Sequence, residues 1–419
     1  MSKLEQLIAE LCPEGVEYKT LGQLGTFYSG LTGKSKEDFR DGNAKFITYM
    51  NVFNNLEIDR NISEKVHIEA AERQNIVRFG DVLFTGSSET PDECGMSSVL
   101  AAEPNESLYL NSFCFGFRFD NEALFLPAFS KYVFRSDTLR KQISKTASGV
   151  TRFNVSKEKM RKITIPIPPL PVQHEIIRML DNFTKLTAEL TAELTAREKQ
   201  YEYYRNELLT FGDDVPMVPL DTIICSLKTG LNPRKNFILN DDNAKNFYVT
   251  VREIVNGKIV FFDKTDRVND AALLLIKKRS SLDVGDVLFS GTGTIGRTAV
   301  VEETPTNWGI KEGVYAIKPD QTSIMSKYLA HVLCAGQTIE RYKRKIVGSP
   351  VASLPMADLK KLSIPLPPLT EQARIVAILD RFDALTNDIT SGLPAEIDAR
   401  NKQYEYYRDK LLTFKEADA

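Results

Sequence analysis

ITIPIPPLPVQHEIIRMLDNFTKLT (163–187) returns as LSIPLPPLTEQARIVAILDRFDALT (362–386), 199 residues later, and the organisation of the chain follows from that return. AREKQYEYYRNELLTF (196–211) likewise returns as ARNKQYEYYRDKLLTF (399–414), 203 residues later. Working outward, FGDVLFTG (79–86) matches VGDVLFSG (284–291), and Gly149 of SGVTRF stands where Gly348 stands in VGSPVA. The chain is therefore a doubled unit of about 200 residues, each half a globular segment followed by a helix.

Both helices follow a proline-rich approach, IPIPPLP and IPLPPL, which cannot be helical throughout. Beyond it the first carries an apolar stripe at Ile176, Leu180, Phe183, Thr187, Leu190, Leu194, Arg197, Tyr201, Tyr204, Leu208 and Phe211. Gaps of four and three alternate, which is a heptad seam interrupted only by Thr187 and Arg197. The second seam runs Ile375, Leu379, Phe382, Thr386, Ile389, Leu393, Ile397, Arg400, Tyr404, Tyr407, Leu411 and Phe414, with one additional gap of four, a stutter. Gly392 and Pro394 fall where the extra residues sit, so a kink or break is expected near SGLPAE. Forty residues make a rod of roughly 60 Å. Two such rods are expected to pair as long antiparallel, coiled-coil-like helices. Two tyrosines of each YEYY cluster continue the seam, which favours packing over base stacking.

FITYMNVF (46–53), DVLFT (81–85), FCFGFRF (113–119), FYVTV (247–251), GKIVFF (257–262) and RTAVV (297–301) read as strands, while 127–145 and 326–345 have helical spacing. The fold class is α+β: two globular mixed α/β domains separated by the helices, with an internal pseudo-two-fold repeat. The boundaries are 1–20 for an N-terminal helical segment, 21–164 and 212–363 for the globular domains, and 165–211 and 364–419 for the helical spacers.

Apolar residues make up 42% and charged residues 26% of the 419, with no apolar run long enough to cross a bilayer and no signal peptide at MSKLEQLIAEL, so a cytoplasmic protein is expected. Cys12, Cys94, Cys114, Cys225 and Cys334 form no CxxC pair, and with His67, His174 and His331 they give no metal-ligand spacing. The formal charge of −2 is awkward for a nucleic-acid binder, but Lys131–Lys162 holds ten Lys/Arg against two acids and Lys327–Lys361 seven against two. A basic run at the same place in both halves points to DNA; solvated surface charge is the plainer alternative for either run alone.

Catalytic motifs fail on inspection. SGLTGKS (29–35) has Tyr28 where a phosphate loop needs glycine. GTGTIG (291–296) runs into the strand pattern RTAVV, not into the helix that a dinucleotide site requires. PDE (91–93) lacks the lysine of a nuclease, and no NPPY-like segment for amino methylation occurs.

Two globular segments, each closed by an IPxPPLxxQxxI element and a heptad helix ending in KQYEYYRxxLLTF, resemble the specificity subunits of type I restriction-modification systems; TAELTAELTA (187–196) resembles the short central repeat of the type IC branch. The resemblance implies a non-catalytic subunit without cofactor or metal. It implies that two target-recognition domains each read half of a split DNA site, that two methyltransferase subunits dock on the chain, and that restriction subunits join the full complex. The spacers would fix the unspecified gap.

For phosphate and base contacts the residue types needed are Lys, Arg and small polar donors. The first domain offers Lys34, Lys36, Arg40, Asn54, Ser87, Ser88, Thr90 and Arg152; the second offers Lys228, Arg234, Lys235, Arg252, Thr292, Thr294, Arg297, Lys343 and Arg344. The glycines of GSSETP and SGTGTIG serve either tight turns alone or close approach to phosphates. Competing readings are a helical interaction scaffold with no DNA role and a fragment of a fused enzyme. Met1–Leu11 is expected to pack near the end of the second helix.

Overall fold

The computed structural model describes residues 2–234, 236–348, 350–387 and 391–417. The chain divides into two compact units, 1–188 with 399–419, and 189–398.

In the first unit, GDVLF forms the strand Val82–Thr85, whose four residues are all buried because cores lie on both its faces. Val82 and Phe84 point into an aromatic core with Phe115, Phe117, Phe129 and Phe134, whereas Leu83 points into a second core with Ile47, Val52 and Leu110. Burying each such side chain contributes about 1.5–3 kcal/mol. The antiparallel sheet runs Gly25–Ser29, Cys114–Phe119, Val82–Thr85, Ser97–Val99. A smaller sheet sets Ala44–Ile47 antiparallel to Lys65–Val66 and parallel to Leu108–Leu110. Glu17–Thr20 pairs antiparallel with Thr164–Ile167, the strand leading into the spacer.

The second unit repeats this order. Its sheet runs Ile224–Thr229, Val314–Pro319, Val287–Ser290, Thr298–Val300. Asn246–Val249 is parallel to Trp308–Ile310, and Met217–Pro219 pairs with Ser363–Pro365. To this order are added the helix Asp270–Ser280, capped by Asn269, and a small hairpin of Ile254–Val255 with Lys258–Ile259.

Three strand expectations shorten. In FITYMNVF only Phe46 and Ile47 are strand, the end of Ala44–Ile47, because the Thr48 hydroxyl accepts the Asn51 N–H and caps a helix over Tyr49–Asn54. FYVTV ends as a strand at Val249, where Thr250 and Glu253 form a capping box over a short 3-10 turn. GKIVFF keeps two strand residues, Lys258–Ile259.

The first spacer is one helix, Leu170–Leu208, whose 39 residues span about 58 Å. The second is divided into Leu369–Asn387 and Leu393–Leu411, so the interruption falls where Gly392 and Pro394 were expected to place it. The early half of the first spacer meets the late half of the second in the first unit, through Phe183 stacked on Tyr407 at 5.4 Å. Its late half meets the early half in the second unit, where Phe382 stacks on Tyr201 and Tyr204 at 6.1 and 5.3 Å. The pairing is thus antiparallel. Leu190 and Leu194 are half-buried, Leu393 is buried, Tyr203 and Tyr406 face outward, and Ile389 lies outside the described residues. In the first unit, Leu4 and Cys12 pack with Leu412, and the Val16 N–H donates to the Lys415 carbonyl at 2.9 Å. No helix among the described residues is long and apolar enough to cross a membrane.

Candidate nucleic-acid interface

Each globular domain is fixed to its spacer by the glutamine of PPLxxQ. Gln173 is fully buried; its Nε2 donates to the carbonyls of Leu124 and Pro168 at 2.9 and 2.8 Å, and its Oε1 accepts the Leu126 N–H at 3.0 Å. Gln372 makes the same set with Ser323, Pro367 and Met325 at 3.0, 2.9 and 2.9 Å. An amide alone supplies two donors and an acceptor at that depth. A second fastening recurs too: the Asp137 N–H donates to Asp409 at 2.9 Å in one unit and the Gly336 N–H to Asn206 at 2.7 Å in the other. The Tyr132 hydroxyl donates to Asp181, and His331 faces Asp380 at 3.4 Å. Hydrogen bonds from His331 and then Lys327 hold the Asp380 carboxyl below the usual range against its burial.

Away from these fastenings, the GSSETP loop meets the SGVTRF loop. Ser87–Ser88 pairs with Phe153–Val155, which pairs in turn with Ala147–Ser148. The Arg152 Nε donates to Ser87 Oγ at 3.1 Å, and its guanidinium lies 5.3 Å from the centre of the exposed Phe113 ring. In the second unit Thr292 bridges Ser353, which bridges Val347; the Thr292 and Ser353 hydroxyls are 3.2 Å apart. GTGTIG joins two antiparallel strands, Val287–Ser290 and Thr298–Val300, so no helix N-terminus follows it.

These contacts sort the residues selected from sequence. Ser87, Ser88, Thr90 and Arg152 come together in one unit, and Thr292 and Thr294 share the equivalent loop in the other. Ser88 and Thr90 both donate to the Glu93 carboxylate, at 3.0 and 2.9 Å, which makes the GSSETP loop acidic and unsuited to cradle phosphate. Lys34 pairs with Glu72, its side chain only 6% exposed, and acts as an internal strut instead of a surface contact. Arg252 is held by Glu253 and Asp266. Arg297 donates to the carbonyls of Val251 and Ile254, closing the 3-10 turn. Lys36, Arg40, Asn54, Arg234 and Arg344 are exposed; Arg40 pairs with Glu37 and Lys343 with Glu340. Lys228 is half-buried on an outer strand, and Lys235 lies outside the described residues.

The basic run 131–162 also divides. Arg135 donates to the carbonyls of Ser97, Val52, Phe53 and Asn55, and burial pushes its pKa down to about 10 without discharging it near neutrality. Arg140 donates to those of Gly95, Asp92 and Cys94. Both are internal caps. Residues the sequence reading passed over include Phe113, beside Arg152, and Lys157, whose ammonium donates to Ser29 Oγ at 2.8 Å and sits over Phe115. Where Arg135 fills the first unit, the second has Cys334 and an open cleft of about 830 Å³ bordered by Tyr201, Arg205, Arg297, His331 and Asp380.

The family model described as type I restriction modification DNA specificity domain matches residues 13–197 and 223–399, once in each half. The chain belongs to that family. Among curated relatives, the EcoR124I/EcoR124II specificity subunit of Escherichia coli is 37% identical over 273 residues, covering 62% of this chain and 65% of the relative. A protein of Haemophilus influenzae named as a type I restriction enzyme specificity subunit is 37% identical over 284 residues, covering 64% of this chain and 68% of the relative. The match thus spans about two thirds of either relative's length. In fold, the chain is similar to one in a structure of a type I R-M system concerned with complex assembly and conformational transition, with TM-score 0.64, 16% identity and coverage of 96% and 98%. It is also similar to the S subunit of M. genitalium, with TM-score 0.50, 15% identity and coverage of 95% and 96%. Specificity subunits are non-catalytic members of their complexes, which accords with the failed catalytic motifs.

Proposed function

We propose that this chain is the DNA sequence-recognition subunit of a type I restriction-modification complex, with one domain (21–164) reading one half of a bipartite target and the other (212–363) reading the second half. The observation that carries this reading is duplication down to the loops: the same strand order, the same glutamine fastening and the same meeting of two loops occur in both units. A scaffold without a DNA role would have no use for two strand-supported loop clusters bearing hydroxyls and, in one case, an unshielded guanidinium. The spacers set the unspecified gap and offer docking faces to two methyltransferase subunits, through which restriction subunits join. The protein acts in the cytoplasm and brings no cofactor of its own.

The test is mapping of methylated sites after co-expression with the cognate methyltransferase subunit, joined to gel-shift assays on random-sequence duplexes. A split target with two specified halves is the expected result. Methylation without sequence preference, or no DNA binding with the partner present, would refute it.

A further inference from the structure

We infer that Arg152 reads a guanine in the half-site of the first recognition domain, and that the second domain lacks this contact because Val351 occupies the equivalent place. This rests on the DNA-reading function proposed above and assigns one base contact within it.

The two loops are built on one plan. Gly149 has φ +153°, and a Cβ there would come within 1.9 Å of the Arg152 carbonyl oxygen. Gly348 has φ +98°, and its Cβ would come within 2.5 Å of the Val351 carbonyl oxygen. A side chain at either glycine would strike the backbone three residues on, and 152 and 351 hold equivalent places because Ser148 pairs with Asn154 as Val347 bridges Ser353, while the side chain presented there differs. Val351 is 60% exposed and offers no donor.

Arg152 is held ready. Ser87 Oγ takes its Nε, and the Phe113 ring lies under its plane. Its two terminal nitrogens make no hydrogen bond among the described residues and the residue is exposed, which leaves a fork of donors open to a ligand. That fork fits guanine O6 and N7 in the major groove. A phosphate is the poorer match for two reasons. The neighbouring loop carries Glu89, Asp92 and Glu93, which repel a phosphate backbone. Phe113, against the guanidinium and 58% exposed, and Val150, two residues before Arg152 and 92% exposed, offer apolar surface suited to base edges and thymine methyl groups.

The experiment is selection from a library of random duplexes by the full chain with its methyltransferase subunit, comparing wild type with R152Q and R152K. Both variants are expected to lose preference for guanine at one position of one half-site, binding the wild-type optimum roughly 5- to 160-fold more weakly, which corresponds to about 1–3 kcal/mol. The other half-site should be unchanged, and its retention shows that the variant is folded. Lysine keeps the charge but not the fork, so restored selection by R152K would overturn the assignment. Uniform weakening on all sequences, with the salt dependence reduced by about one phosphate, would also overturn it. If the wild type selected no sequence, the DNA-reading function itself would fall; wild-type selection with an unchanged R152Q site would sink the arginine alone.

Discussion

Replacing Gln173 by Met keeps the length and nearly the volume of the side chain and removes all its hydrogen-bonding atoms. The Leu124 and Pro168 carbonyls and the Leu126 N–H then lose their partner in a place closed to water. An unsatisfied buried backbone group costs about 1–3 kcal/mol, and with partial relaxation three of them should cost about 3–5 kcal/mol. In a unit of this size each kcal/mol lowers the melting temperature by about 2–4 °C, so Q173M should melt roughly 6–20 °C lower. Q372M should do the same through the Ser323, Pro367 and Met325 groups. Because the two pins lie in different compact units, their effects should add within about 0.5 kcal/mol in the double variant. Differential scanning calorimetry with urea titration supplies the measurement. Losses below about 1 kcal/mol in both single variants would show that the glutamines do not fasten the domains, and that their recurrence after PPL has another cause.

Three further outcomes are expected. R135Q should destabilise the first unit while leaving the salt dependence of DNA binding unchanged, since its guanidinium serves carbonyls; a flattened salt slope at constant stability would contradict this. Hydrogen bonding from Arg178 and then Lys3 holds the Glu175 carboxyl down to about 2. A depressed folded-state pKa contributes stability above the unfolded value near 4.3 that is lost as pH falls toward 2, so E175Q should show a shallower acid decline over that window in circular-dichroism melts, and an identical profile would refute it. Adding one TAEL unit within 187–196, which lies inside the unbroken spacer helix, should advance it by about 6 Å and rotate its far end by a net 40° or so. Methylation-site mapping should then find the gap longer by about one base pair with both half-sites intact; an altered half-site would count against a spacer that sets only the gap.

How much could be read in advance differs between the helices and the loops. The seam at Ile176, Leu180, Phe183 and Tyr201 was legible because helical neighbours lie three and four residues apart in sequence, and the break near Gly392 and Pro394 was legible because those residues act locally. The strand FITYMNVF was overread, since a Thr48 cap outweighed a β-rich composition. Lys34, Arg135 and Arg297 show the limit more sharply. A cation is drawn as one letter whether its partner is a phosphate, a carboxylate or a ring of backbone carbonyls, and all three proved to have partners inside the protein.

The sequence by itself determined the duplication, the paired rods and the proline-marked approach to each, because repeats and periodicities are carried by neighbouring residues. Only the tertiary structure decided which polar groups meet. Ser87 and Arg152 are 65 residues apart, and Gln173 reaches an amide and a carbonyl group 47 and 49 residues away. Those encounters are set by strand pairing and by the burial of backbone groups that must find partners, and neither leaves a local mark in the chain.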